Sequence, residues 1–123
     1  SLDDFEAVLQ PAFMAGLEGD AGAYRRFLDL IGGRLRGFLR GHLARAGLAG
    51  AEEAEDVLQE TLLALHLSRH TYDPAVPVSA WAHAIARYKL IDHLRRRAGI
   101  AALQAEHPHV GVAGRLVARC IIQ

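Results

Sequence analysis

Apolar residues recur at intervals of three and four along the segment that begins at Asp20. They occupy positions Tyr24, Phe27, Leu28, Ile31, Leu35, Phe38, Leu39 and Leu43. This spacing predicts an amphipathic helix, and Asp20 is placed to cap its first turn. Three glycines lie within the run, at Gly32, Gly33 and Gly37. Because each costs about 1 kcal/mol relative to alanine inside a helix, we expect another helix to pack closely against them.

A second helical pattern, from about Glu52 to Ser68, separates an apolar face from a polar one. The predicted core face holds Val57, Leu58, Thr61, Leu62 and Leu65. The side chains predicted to point away from it are Glu53, Asp56, Gln59 and Glu60. The segment therefore predicts a helix with a core side and an acidic side.

The sequence HTYDPAVPVS then breaks the helical pattern. Its two prolines remove backbone donors and favour extended conformations in the residues before them, which predicts a loop. Ser79 is placed to cap the next helix. That helix ends in three arginines, which complement the negative end of a helix dipole. Its predicted inward face holds Trp81, Ile85, Tyr88, Ile91 and either Leu94 or Arg95.

A helix around Phe5 to Leu17, interrupted or kinked near Pro11, completes the pattern. The predicted fold is all-α, a compact bundle of three main helices plus this N-terminal helix. A length of 123 residues with 51% hydrophobic content suits one small domain. We expect that domain to span residues 1–98.

Composition narrows the class of protein. The lone cysteine, Cys120, excludes an internal disulfide framework. The longest apolar runs fall well short of the roughly 20 residues that span a bilayer, and the acidic N-terminal residues do not resemble a signal peptide. We therefore expect a cytoplasmic protein. No nucleophile elbow, phosphate loop or pair of catalytic acids occurs, so we expect neither an enzyme nor a cofactor.

The formal net charge of zero hides an uneven distribution of charge. From Glu52 to Glu60, EEAEDVLQE is strongly acidic. From Arg87 to Arg97, RYKLIDHLRRR has the single acid Asp92 against a series of bases. This distribution predicts two distinct charged surfaces.

Three segments, in order, resemble region 2 of a bacterial sigma factor of the extracytoplasmic-function (ECF) class. GDAGAYRRFLDLIGGRLRGFLR is similar to the opening helix of that family, and AEDVLQETLLALHLSRHTYDP is similar to its AEDLVQETFLRAW…FDP signature. PVSAWAHAIARYKLIDHLRRR likewise is similar to PFRGWLYRIARNLAIDHLRRR. The resemblance covers residues 18–98 and carries the all-α fold of that region.

The resemblance assigns a role to each charged surface. It implies that the acidic helix docks on the clamp coiled coil of core RNA polymerase through Asp56, Gln59 and Glu60. It also implies that the following loop and helix capture the non-template strand of the promoter minus-ten element. The implied base pocket holds Tyr72, Asp73, Pro74, Val78 and Ser79, and the implied phosphate contacts are Arg87, Lys89, His93, Arg95 and Arg96. An anti-sigma factor is a further implied partner.

The sequence departs from the family pattern in several places. Tyr88 stands where the family commonly has asparagine, and PVSAW replaces PFRGW, so the base preference is expected to differ. Nothing after Gly99 resembles region 4. The tail from 99 to 123 is rather apolar, and one face of a short helix would hold Val112, Leu116, Val117, Cys120 and Ile121. Three interpretations of the tail stay open: a docked helix, a stand-in for a missing partner, or a cloning remnant.

Other interpretations compete with these roles. Trp81 suits a core anchor better than a DNA contact, because so large an aromatic buries heavily. His66 and His70 have the spacing of a metal pair but no further ligand pattern, and His107 and His109 fit a solvated loop. Without the family, the acidic face and the arginines would be read as solvated surface. The alternative function is a sigma-like helical module that binds only a protein regulator.

Overall fold

The computed structural model describes residues 2–48 and 50–106. Four α-helices follow one another within this part of the chain: α1 (Leu2–Leu17), α2 (Ala21–Arg45), α3 (Ala51–Leu67) and α4 (Val78–Glu106). A 3₁₀ turn at Arg69–Thr71 begins the connection from α3 to α4. No described residue lies in a strand, so the all-α prediction is confirmed. No helix among these residues is both long and apolar enough to cross a bilayer.

The chain divides after Lys89 into two compact units, Ser1–Lys89 and Leu90–Gln123. The core of the first unit forms where α1 and α3 pack against α2. Its fully buried apolar side chains include Leu9, Phe13, Phe27, Ile31, Leu35, Leu39, Val57, Leu58 and Leu65. Each such side chain contributes about 1.5–3 kcal/mol relative to an exposed position. The core faces predicted for α2 and α3 are therefore largely confirmed.

The connection between α1 and α2 depends on local capping and close packing. Asp20 caps α2 as predicted, because its Oδ1 accepts a hydrogen bond from the Ala23 amide at 3.0 Å. Gly16 lies against Tyr24, whose Cδ1 would be 2.6 Å and whose Cα would be 2.9 Å from a β-carbon at residue 16. Only glycine allows the two backbones to approach this closely.

Two expectations about glycine and proline are wrong. Among the described residues, no atom lies within 4 Å of a β-carbon placed on Gly32, Gly33 or Gly37, so no described helix packs closely against these glycines. Helix α1 begins at Leu2 and continues through Pro11 without interruption. The lost hydrogen bond at a single proline is outweighed there by packing, since Leu9 and Phe13 on either side of it are fully buried.

The predicted inward face of α4 is wrong at Tyr88 and Ile91, whereas Trp81 of that face is half-buried. The buried residues in its first half are Val78, Ala82, Ala86 and Leu90, whereas Tyr88 is 72% exposed and Ile91 is 43% exposed. These buried positions recur at four-residue spacing, and two of them are alanines, so the buried face of α4 carries smaller side chains than predicted. The helix also continues to Glu106. Arg95, Arg96 and Arg97 therefore lie in its interior, where they do not complement a helix end.

The glycines of α1 and α2 provide a test of this packing. Gly16→Ala is expected to lower the free energy of unfolding by about 1–3 kcal/mol, because the new methyl group overlaps Tyr24. Gly33→Ala is expected to raise it by about 0.5–1 kcal/mol, because the site is open and alanine favours a helix. Urea unfolding followed by circular dichroism measures both. Effects of the same sign would contradict the assigned packing.

Candidate functional site

The exposed side of α3 carries the residues predicted to bind polymerase. Asp56 and Gln59 are exposed, and Glu60 is half-buried. They lie opposite a buried stripe that includes Val57 and Thr61, whose Oγ1 donates a hydrogen bond to the Val57 carbonyl at 2.8 Å. The spacing of three and four residues places the three polar groups on neighbouring turns of one face. This face is acidic, as the sequence predicted.

One acidic residue of α3 pairs with an arginine of α2. Glu55 Oε2 accepts a hydrogen bond from Arg36 Nε of α2 at 2.9 Å. That hydrogen bond, together with the positive charge of the guanidinium, holds the pKa of Glu55 below its ordinary value. The same contact raises the pKa of Arg36. The pairing was not predicted from the sequence, because the two residues are 19 positions apart on different helices.

The loop between the 3₁₀ turn and α4 is folded on itself. The Val76 amide donates to the Asp73 carbonyl at 2.9 Å, and the Ala75 amide donates to Asp73 Oδ1 at 3.0 Å. The Tyr72 hydroxyl donates to the Val76 carbonyl. Asp73 and Pro74 are exposed at the tip, so both are presented to solvent.

Tyr72 anchors this loop by burial. Its side chain is only 8% exposed, and burial, followed by the charges of Glu6 and Asp73, raises the pKa of its hydroxyl. Its ring centroid lies 5.3 Å from that of Phe13 and 5.2 Å from that of Trp81. Trp81, half-buried, also lies 5.4 Å from Phe13. The cluster agrees with the interpretation of Trp81 as an anchor, whereas the part played by Phe13 was not predicted.

Two predicted base-pocket residues have different surroundings from those expected. Val78 is fully buried, so its side chain lines no surface pocket in this structure. Ser79 is not an N-cap, because α4 already begins at Val78. Instead, the carboxylate of Glu6 accepts hydrogen bonds from the amides of both residues and from Ser79 Oγ, the last at 2.7 Å. The signal that was overlooked is Pro77, which offers no side-chain acceptor to cap α4.

The first half of α4 presents two of the predicted phosphate contacts. Arg87 is exposed and Lys89 is half-buried. The Arg87 guanidinium carbon lies 5.8 Å from the centre of the Phe38 ring, which steadies the side chain over α2. Between these two cations, Tyr88 forms part of an apolar groove of about 570 Å³. The other residues that line the groove are Ala64, Leu67, Ser68, Trp81, Ala84, Ile85 and Lys89.

The second unit holds the remaining predicted phosphate contacts. Arg95 is exposed and His93 is half-buried. Arg96 differs from both: it is 5% exposed, and its Nη2 lies 3.3 Å from Asp92 Oδ2 one turn earlier. Arg96 is therefore less exposed than Arg95, and its guanidinium is paired with a carboxylate of the same helix.

One histidine of the predicted pair contacts α2. His66 Nδ1 lies 2.9 Å from the Tyr24 hydroxyl, so one ring nitrogen is engaged with α2. Burial raises the pKa of the Tyr24 hydroxyl, and the nearby charge of Arg69 partly opposes this effect. Within residues 2–48 and 50–106, no group of three or more potential ligands is arranged to hold a metal ion. His107, His109 and the apolar face of the predicted tail helix lie outside the described residues.

The chain matches the model of the family described as Sigma-70 region 2 over residues 24–100, which is more than half of its length. The chain belongs to the Sigma-70 region 2 family. The ECF RNA polymerase sigma factor SigF of Caulobacter vibrioides (strain NA1000 / CB15N) is 50% identical over 96 residues, covering 78% of this chain and 51% of that relative. The chain thus spans about half the length of that curated relative. No solved structure matches significantly.

These comparisons confirm the family and the ECF class predicted from the motifs. The matched residues of this region 2 domain include most of α2, all of α3, the loop and most of α4. Glu6 and Phe13 of α1 lie outside the family match, although both contact the loop or the start of α4.

The pair of Arg36 and Glu55 gives the region 2 domain a pH-dependent contribution to stability. Because the pKa of Glu55 is lowered in the fold, that contribution is present above the ordinary glutamate pKa and is lost as the pH falls through the lowered value. Glu55→Gln is therefore expected to destabilise the domain at neutral pH and to have a vanishing effect in acid. Urea unfolding across the acid range measures this. Asp29→Asn, at an exposed acid of α2, is the control, and a pH-independent difference for Glu55→Gln would contradict the assignment.

Proposed function

We propose that this chain is the promoter-recognition domain of an ECF-type sigma factor, a transcription initiation factor and not an enzyme. It binds core RNA polymerase and, in that complex, holds the melted minus-ten element. The observation that carries the proposal is the Sigma-70 region 2 match over residues 24–100, together with an exposed acidic face on the matched α3. Such a factor acts where core polymerase acts, in the cytoplasm.

The polymerase contact is assigned to Asp56, Gln59 and Glu60. An exposed acidic face complements a basic partner surface, which steers association and fixes the docking register. Glu55, which precedes Asp56 in the sequence, already accepts a hydrogen bond from Arg36 of α2. This contact helps to hold α3 against α2. The partner surface implied by the resemblance is the clamp coiled coil of core polymerase.

The DNA contact is divided between base capture and phosphate binding. Asp73 and Pro74, exposed at the loop tip, are proposed to meet the captured base. A base that leaves the stack costs a few kcal/mol, which a fitted pocket recovers. Tyr72, Val78 and Ser79 are proposed to hold this loop in place, because the first two are buried and the third donates a hydrogen bond to Glu6.

Phosphates are proposed to meet Arg87, Lys89, His93 and Arg95. Phosphate contacts supply affinity and position without reading sequence, and cations beside aromatic groups are typical of single-strand binding surfaces. Arg96 is proposed to act through its ion pair with Asp92. An anti-sigma factor is the proposed inhibitory partner of these surfaces.

Charge reversal on α3 tests the polymerase contact. Asp56→Lys combined with Glu60→Lys should weaken binding to core polymerase by about tenfold or more, because two attractions become repulsions. Glu18→Lys combined with Asp29→Lys, at exposed acids of the α1–α2 turn and α2, makes the same change in net charge elsewhere. Pull-down and titration on core polymerase measure binding, and circular dichroism checks the fold.

Two results would contradict the proposal in different ways. Equal binding by both double variants would remove Asp56 and Glu60 from the interface. If the wild-type chain does not bind core polymerase at all, the sigma-like module that binds only a protein regulator becomes the better account.

A further inference from the structure

Helix α1 contacts the proposed base-reading loop at both of its ends. At the first end, the Phe13 ring lies 5.3 Å from the ring of Tyr72. At the other end, the Glu6 carboxylate accepts hydrogen bonds from Val78 and Ser79. Neither Phe13 nor Glu6 lies within the residues 24–100 that match the family. The loop is therefore supported by a helix to which the family match assigns nothing.

The contact made by Glu6 satisfies a need created by the sequence before α4. The first turn of a helix has amide groups without intrahelical acceptors, and Pro77 provides no side-chain acceptor for them. Glu6 Oε1 accepts from the Val78 amide, and Oε2 accepts from the Ser79 amide at 3.2 Å and from Ser79 Oγ at 2.7 Å. The negative carboxylate also suits the positive end of the helix dipole. Glu6 thus acts as a cap supplied from 72 residues away.

The loop has its own hydrogen bonds, but these fix only its internal shape. The bonds to Asp73 and from Tyr72 close a turn between residues 72 and 76. They do not determine where the turn stands relative to α4. That placement depends on the ring contact of Tyr72 with Trp81 of α4, on the burial of Val78 and on the three hydrogen bonds to Glu6. The position of the exposed residues Asp73 and Pro74 therefore depends on α1.

We propose that Glu6 is a positioning residue for base recognition, acting through Val78 and Ser79. This inference rests on the proposed function, in which the loop reads a captured base. Without the carboxylate, the turn keeps its shape and its anchor at Tyr72 but loses the anchor at its other end. Discrimination between bases requires donors and acceptors held in place, because a mobile site makes similar contacts with right and wrong partners. Loss of Glu6 should therefore reduce selectivity more than affinity for the polymerase.

The test uses the whole chain bound to core polymerase. Single-stranded minus-ten oligonucleotides are first selected from a randomised pool by the wild-type complex, and each position of the best binder is then substituted singly. The readout is the ratio of affinities for the best and the substituted strands. Glu6→Gln keeps the size of the side chain but replaces one acceptor oxygen with a donor. It should lower this ratio by about fivefold or more, whereas binding to polymerase stays within about twofold.

Two further variants complete the design. Ser79→Ala removes only the hydroxyl contact with Glu6 and should lower the ratio by a smaller factor; it also serves as the test if Glu6→Gln fails to fold. Glu18→Gln, at an exposed glutamate of the α1–α2 turn, should leave the ratio unchanged. If the wild type discriminates and both Glu6→Gln and Ser79→Ala discriminate equally well, the positioning role is overturned. If the wild-type complex itself shows no base preference, the proposed function of the loop fails instead.

Discussion

The first unit of this domain depends on the capping of α4 at its first residues. The helix begins directly after Pro77, which lacks a side chain that can cap it, and the carboxylate of Glu6 in α1 supplies the missing acceptors. The neighbouring Val78 is fully buried, so the same few residues join α1, the loop and α4. Because the capping group and the capped helix are far apart in sequence, this arrangement exists only in the folded chain. Local propensity alone would leave the helix start frayed.

The aromatic cluster of Phe13, Tyr72 and Trp81 complements this cap. It buries the first residue of the loop, whereas the carboxylate fixes the residues that follow the loop. Between these two anchors, only Asp73 to Pro77 remain exposed. A short exposed segment held at both ends can present polar and apolar groups at defined positions. Such an arrangement is suited to reading an unstacked base, which needs fixed partners more than it needs a large surface.

The sequence predicted the parts of the fold whose pattern is local. The stripe of α2, the two faces of α3 and the cap at Asp20 follow from spacing and residue type, and the motifs identified the family. The prediction failed for part of the inward face of α4. The small Ala82 and Ala86 are buried there, whereas the larger Tyr88 is exposed. The sequence also could not reveal pairs set by tertiary structure, such as Arg36 with Glu55 or Glu6 with Ser79. The burial of Arg96 beside Asp92 shows that a run of identical residues need not share one environment.

The most direct test of the account is the salt dependence of minus-ten single-strand binding by the chain in complex with core polymerase. The account predicts sequence-selective binding that weakens as salt rises, with the log–log slope reduced by about 0.7 for each phosphate contact removed by Arg87→Ala or Arg95→Ala. Arg26→Ala, at an exposed arginine of α2, should leave the slope unchanged. A complex that binds polymerase but shows no salt-dependent preference for minus-ten strands would contradict the central claim.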